Sequence, residues 1–536
     1  MATAAEVSAH DLETPNSHSE ALKSVQSGEW ESATQKELKS LHDMHVLEEV
    51  ELPAGHRPIS SKYVYKIKRQ ADGTIDKFKV RLVARGFSQR EGIDYNETFS
   101  SVVGLTALRI LIALAASLKL PLYHLDIASA FLHGNLEEEI YMEPPKGYEI
   151  PHSGNRRKVW RLRRCIYGLK QSNRVFQRQF RAQLLSFGFT QCKADDCLFY
   201  YRKGTQLCVL AVFVDDCSYF CNSTQLKEEL VAHLSEQFKV EDLGKLTHFL
   251  GVKIEQTEEK YSLSHEAYVD TLLKRHGLSD CNSSSTPMDS GFVALQGKET
   301  SPPCDSAQSE AFANIVGALL WIGRICRPDI LAATVILTRY TSAPTVAHFT
   351  AAKRICRYLK HSKDYRLSYT VGSKPELLAY GDADFAADTT DRKSITGSLF
   401  MMCGGPIHWV SKKQGTTSLS TVEAEFIALC TTSQEVLYIQ QLLSELGYAQ
   451  NTAIACDSTG AVSFATNSLT TSRVKHIDVK FHFVRQHLED GDFSLRRIAS
   501  KDNLADIFTK PLGNQLHSSI TSQIMDVPAR GDVGFH

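Results

Sequence analysis

The sequence predicts a mixed α/β (α+β) protein built from two catalytic-sized units, and three observations predict it. Its 536 residues exceed what one hydrophobic core holds. Short apolar strands rich in β-branched residues end in aspartate and alternate with segments of helical period. A stretch rich in Gly, Ser, Thr and Pro, Asp289–Ala311, separates the two units.

Along the chain, residues 1–28 are rich in Ala, Ser and His and are expected to be disordered. A helix is predicted from Glu29 to His42. Ser60–Val83 alternates apolar and polar residues around Asp72-Gly73, the pattern of a hairpin. Thr106–Leu118 forms a strongly apolar helix, and Leu122–Asp126 and Leu207–Val214 read as central strands. After the linker come helical segments to about His361. Strands and helices then alternate from Leu377 to Leu512, and residues 513–536 read as a tail. The implied division is 29–288, a linker at 289–311, a helical connection at 312–375, and a second unit at 376–512.

With 43% hydrophobic and 23% charged residues, the composition is that of an ordinary soluble globular protein. The net charge of −1 names no partner, but its distribution is uneven. Lys62–Arg90 holds nine Lys/Arg against Asp72 and Asp76; Arg156–Arg181 holds ten and no acid. These segments are either a track for a polyanion or solvated faces balanced elsewhere. Met1–Gly28 has no apolar signal region, and the apolar run Leu108–Leu122 is broken by Arg109, Ser117 and Lys119, so no membrane span is expected. Thirteen cysteines without a framework fit reduced thiols. Cys192/Cys197 and Cys217/Cys221 sit in strand-like surroundings and read as core residues, not zinc ligands.

Asp126 ends one apolar strand, and Val212-Phe-Val-Asp215-Asp216 ends another. Carboxylates in apolar surroundings are costly, and neighbouring ones repel, unless a cation neutralises them. Side chains alternate faces along a strand, so Asp215 and Asp216 can converge only if the pair occupies a turn. Such a turn beside Asp126 gathers three hard oxygen ligands suited to Mg²⁺ or Mn²⁺.

Asp126-Ile-Ala-Ser-Ala-Phe-Leu-His-Gly-Asn-Leu-Glu-Glu-Glu-Ile-Tyr-Met142, Ile166-Tyr-Gly-Leu-Lys-Gln-Ser172 and Phe213-Val-Asp-Asp216 resemble the polymerase motifs of copia-type long-terminal-repeat retrotransposon reverse transcriptases. Lys79–Gln89 and Gly92–Phe99 resemble that family's fingers region, in family order. The resemblance implies a right-hand fold of fingers, palm and thumb-like region. Asp126, Asp215 and Asp216 map onto its catalytic metal ligands. Phe131 maps onto the aromatic that screens the nucleotide sugar, with a plain core aromatic as the alternative. Lys79 and Arg81 are candidate triphosphate contacts, and Lys170 and Gln171 are read as further substrate contacts. Leu246-Thr-His-Phe-Leu-Gly251 resembles the primer-grip hairpin. Two positions depart from the family: Phe213 stands where Tyr is usual, and Asn173 where Pro is usual.

In the second unit Asp382, Glu423 or Glu425, Asp457 and Asp506 lie at strand ends and helix starts, with Asp502–Asp506 expected to open the last helix. Four acids so placed can converge on one sheet edge and hold two Mg²⁺ ions. Leu377–Leu512, with Trp409–Gln414, Lys475–Asp478 and Ala505–Leu512, resembles the ribonuclease H domain of the same retrotransposon family. The family's acids carry over as Asp382, Glu425, Asp457 and Asp506. Glu425 follows the helix rhythm of the family, while Glu423 stays open. His476 and His482 read as orienting groups or phosphate contacts ahead of metal ligands. Asp289-Ser290-Gly291 spells an aspartic-protease signature but lies in the linker without an apolar strand before it.

The resemblance implies an RNA-directed DNA polymerase with ribonuclease H activity, using two Mg²⁺ (or Mn²⁺) ions in each centre. Expected partners are an RNA template, a DNA or tRNA primer, the RNA/DNA hybrid, dNTPs and other Gag-Pol products of the element, with no membrane. The expected place is the cytoplasm, in a virus-like particle, with the nucleus as the second site. The chain reads as the C-terminal part of a longer polyprotein or as the frame of a truncated element. The alternative function is an inactive relic that only binds nucleic acid.

Overall fold

The computed structural model describes residues 14–69, 74–148, 150, 157–292, 301–386, 388, 391–466 and 478–528. The hairpin forms from strands Ser61–Arg69 and Ile75–Ala84, pairing Val64 with Arg81 and Lys66 with Lys79. Its tip, Asp72-Gly73 included, lies outside the described residues. Helix Ser27–Asp43 packs on it through Trp30, whose ring meets Tyr65 and Phe78 edge-on at 5.3 and 4.6 Å. The expectation of disorder through residue 28 is corrected. Helix His18–Lys23 is capped by Ser17, buries Ala21, and places His18 Nδ1 2.9 Å from the Tyr65 hydroxyl. One cap and one apolar anchor suffice there, and composition does not register either. Residues 1–13 lie outside the described set.

The central layer is an antiparallel sheet in the order Val240–Lys245, Leu122–Ile127, Asp216–Cys221, Gln206–Phe213, Leu198–Lys203, Thr190–Gln191. Helix Leu105–Ser117 is buried from Thr106 to Ala116. A helix apolar all round needs cover on every side, and here the second unit supplies part of it. Arg109 donates to the carbonyls of Ile325 and Ile407 (3.0–3.1 Å) and of Arg324, and its guanidinium lies 3.9 Å from the centre of the Trp409 ring. Thr106 Oγ1 meets His408 Nδ1 at 2.9 Å. One continuous apolar core therefore runs from the central sheet into the second unit. The two units pack directly as well as through the connection.

The connection holds helices Ser306–Ile325, Leu331–Thr338 and Val346–His361. Two expectations are corrected. The last residues assigned to the linker are helical, because Asp305 and Gln308 form a reciprocal capping box. The connection also contains a strand, Leu367–Thr370, which pairs with Lys260–Ser264 and joins the sheet carrying the hairpin His248–Phe249/Val252–Gln256.

At its centre Arg327 forms a bidentate pair with Asp329 (2.9 and 2.7 Å) and donates to the Ser362 carbonyl and hydroxyl, while the Tyr358 hydroxyl donates to Asp329. All are buried. Removing one partner of such a pair leaves an uncompensated charge, so Asp329→Ala should cost about 3–5 kcal/mol in denaturant unfolding. The double change Arg327→Met with Asp329→Leu should cost less. An equal loss in both would show that packing, not charge, sets the penalty.

The tail assignment is also corrected: Asn514–Ile524 is a helix burying His517, Ile520 and Ile524. His517 Nε2 lies 3.2 Å from the Asp329 carbonyl oxygen, and Asp526 exchanges two backbone hydrogen bonds with Arg366. Its apolar positions three and four apart make one stripe. Residues 529–536 lie outside the described set.

The second unit is a five-stranded sheet in the order Gly405–Lys413, Ile395–Met402, Leu378–Asp384, Thr452–Cys456, Phe493–Arg497. The first three strands are antiparallel, and the last two run parallel to Leu378–Asp384. Helix Thr421–Glu445 covers one face. Asp502–Asp506 does not open the last helix; it lies in two short 3-10 turns, Ser500–Asp502 and Leu504–Phe508. Among the described residues no helix is long and apolar enough to cross a membrane.

Candidate active sites

The first site is built on a two-residue turn. Phe213 pairs with Asp216, leaving Val214 and Asp215 at the tip. Val214 sits at φ 57°, a left-handed conformation that a β-branched residue adopts only under strain of about 1–3 kcal/mol. Asp215 thereby leaves the alternation of the strand. Its carbonyl accepts from Ile127 N at 2.9 Å, tying the turn to the neighbouring strand end. Asp126 lies directly opposite Asp216 in the register. Burial, then Asp215 and Asp216, pushes the Asp126 carboxyl above its ordinary range. Burial and Asp216 raise Asp215, against the pull of Arg81 and Lys79.

Lys79 and Arg81 come from the hairpin strand above. Burial lowers both, while the acids counteract it: Asp126 for Lys79, and Glu37, Asp215 and Asp126 for Arg81. The Arg81 guanidinium lies 3.8 Å from the Tyr167 ring centre, and that ring meets Phe131 edge-on at 5.1 Å. Lys170 is exposed, its amine 3.1 Å from the Tyr95 hydroxyl. Gln171 is buried, accepts from Gln89 (3.0 Å), and donates to the Asp94 carbonyl (2.9 Å) and to Glu138 (3.3 Å). Both ends of its amide are engaged internally, so it braces the loop. Phe213 keeps an aromatic contact with Phe249 at 6.4 Å.

The second site lies at one edge of the five-stranded sheet. Thr509 Oγ1 donates to Asp382 (2.8 Å), Asn503 Nδ2 to Asp457 (3.1 Å) and Lys510 Nζ to Asp506 (3.1 Å). Glu425, Asp457 and Cys456 bring ligand atoms within 4.8 Å of one another. Glu425 Oε2 is buried without a hydrogen-bond partner. Burial, then Asp382 and Asp457, pushes the Glu425 carboxyl up to about 9. Burial and Asp506 raise Asp382. Glu423 instead accepts from Leu419 N at 3.0 Å, while its own N–H is capped by Ser420.

An orphaned carboxylate oxygen among crowded acids fits a hard divalent cation. The Cys456 thiol, pushed up to about 12 by burial, is a poor ligand beside them. Cys192 and Cys197 are buried and likewise pushed up to about 12.

His482 is exposed, 3.4 Å from Asp478, and His476 lies outside the described residues. Half of the second basic segment is ion-paired: Arg157, Arg161, Arg163, Arg174 and Arg178 pair with Glu143, Glu139, Glu48, Glu97 and Glu137.

Sequence reasoning missed several residues. His124 Nε2 lies 3.1 Å from Asp216 Oδ1. It stands two residues before Asp126, so strand alternation already placed it on the same face. Glu241 is the register partner of Asp126 on the other side. Tyr167, Asn503, Thr509 and Lys510 all lay inside motifs read only for their neighbours.

The family model described as Reverse transcriptase (RNA-dependent DNA polymerase) matches residues 44–290. The chain is 37% identical over 507 residues to the Retrovirus-related Pol polyprotein from transposon TNT 1-94 of Nicotiana tabacum, covering 93% of this chain and 38% of that protein. It is 33% identical over 509 residues to the corresponding polyprotein from transposon RE1 of Arabidopsis thaliana, covering 94% and 34%. The chain thus spans between a third and two-fifths of these relatives. Among solved structures, the foamy viral protease-reverse transcriptase in complex with RNA/DNA hybrid matches with a TM-score of 0.48 at 12% identity, over 91% of this chain and 55% of that one.

Proposed function

From the premise that this chain belongs to the copia-type retrotransposon Pol polyprotein family, we propose that it is an RNA-directed DNA polymerase that also degrades the RNA strand of the hybrid it makes. The observation that carries the reading is the register pairing of Asp126 with Asp216 beside a strained turn presenting Asp215. Asp126, Asp215 and Asp216 would hold Mg²⁺ or Mn²⁺ in one centre; Asp382, Glu425, Asp457 and Asp506 would hold it in the other. Two bound ions per centre would activate the attacking oxygen and stabilise the departing one.

The chain's own residues do the positioning. Lys79 and Arg81, whose charges act on Asp126 and Asp215, offer positive charge to an incoming triphosphate. Phe131, held against Tyr167, walls the sugar position. His124 orients Asp216, and Asn503 and Thr509 fix Asp457 and Asp382. The partners are an RNA template, a DNA or tRNA primer, the hybrid and dNTPs.

The purified chain should extend a DNA primer on an RNA template with Mg²⁺ present and stop when EDTA is added. No extension with either Mg²⁺ or Mn²⁺ would overturn the proposal.

A further inference from the structure

The two residues assigned to the nucleotide's triphosphate and sugar come from separate elements, Arg81 from strand Ile75–Ala84 and Phe131 from the 3-10 turn Ala130–His133. One side chain touches both. The Tyr167 ring centre lies 3.8 Å from the Arg81 guanidinium carbon, and its centroid lies 5.1 Å from that of Phe131 in an edge-on contact. An aromatic face attracts a guanidinium, and rings prefer to meet edge-on, so both contacts are favourable placements for one ring. The mount of that ring is backbone. Ala84 N donates to the Tyr167 carbonyl at 2.8 Å, three residues along the strand from Arg81. Gly168, at φ 93°, packs so closely that a Cβ there would collide with the Ala84 carbonyl, and one on Gly86 would collide with the Gly168 carbonyl. Tyr167 is thus fixed to the strand that carries Arg81. On its other side Phe131 meets Phe176 of helix Ser172–Phe187 edge-on at 6.5 Å, so it is wedged between two rings. The Tyr167 hydroxyl is buried with no hydrogen-bond partner among the described residues, so the ring and not the oxygen makes these contacts.

We propose that Tyr167 is the spacer between the triphosphate and sugar contacts, a positioning residue through which nucleotide affinity and rejection of ribonucleotides depend on one ring. This rests on the reading of the first centre as a polymerase, with Arg81 at the triphosphate and Phe131 at the sugar. Without the ring the Arg81 guanidinium loses its seat. Phe131 is then held on the Phe176 side only and yields to a 2′-hydroxyl. A side chain that only filled the core would change turnover and stability and leave sugar selectivity alone.

The test is single-nucleotide insertion by the full chain on a DNA primer and RNA template, with a dNTP and with the matching rNTP. Tyr167→Leu and Tyr167→Met should each raise KM for the dNTP about tenfold, with kcat changed far less. Each should also lower the dNTP-over-rNTP ratio of kcat/KM about tenfold. Tyr167→Phe, which keeps the ring, should restore both values. Combined with Phe131→Leu, Tyr167→Leu should lower the ratio no further, because the ring it supports is gone. Thermal melts show which truncation keeps its fold, and that one is decisive. An unchanged ratio in a folded truncation would overturn the spacer. An equal loss in Tyr167→Phe would overturn it too, by moving the role to the hydroxyl. Absence of extension by the unsubstituted chain with either Mg²⁺ or Mn²⁺ would instead overturn the polymerase reading.

Discussion

Asp215→Asn should lower primer extension by about a thousandfold or more, with hybrid RNA cleavage retained. The substitution keeps the shape of the side chain at the tip of the strained turn and removes its charge. The Asp215 carbonyl still accepts from Ile127 N, so the turn stays docked. Since the Asp215 carboxylate sits under a burial penalty, the neutral amide should leave folding intact or slightly improved, which a thermal melt checks. Near-normal extension by this variant would remove Asp215 from the catalytic set.

Glu425→Gln should lower hybrid cleavage by about a hundredfold or more while extension continues. A helix advances by about 100° per residue, so positions two apart cannot face one point. The structure turns Glu425 toward Asp382 and Asp457 and leaves Glu423 at the helix start, accepting from Leu419 N. Glu423→Gln should therefore cost modest stability and little cleavage. Because burial and neighbouring acids raise the Glu425 carboxyl, the amide also relieves repulsion in the metal-free protein. A Glu425→Gln protein that melts no lower than the parent but does not cut would separate chemistry from folding. If Glu423→Gln alone abolished cleavage, the roles would be exchanged.

The local elements were largely legible. The helix read as Thr106–Leu118 forms over Leu105–Ser117, and the strands ending in Asp126 and before Asp215 form within a residue or two. Their periods and flanks are encoded within a few residues of chain. What the sequence did not disclose depends on distant partners. Gln171 reads as an exposed polar residue in a motif, but Gln89 and Asp94, some eighty residues away, engage its amide. The Asn514–Ile524 helix is short, and its apolar stripe gains meaning only against Asp329 and the connection.

The strongly apolar helix Leu105–Ser117 signalled burial but not what would bury it. Its cover is shared with the rest of the chain: Arg109 donates to the Ile325 carbonyl of the connection and the Ile407 carbonyl of the second unit, with its guanidinium over the Trp409 ring. A second unit taken from a relative would arrive with a foreign surface against that helix, and a buried guanidinium tolerates few mismatched acceptors. Exchanging both units together should therefore preserve folding better than exchanging either one alone.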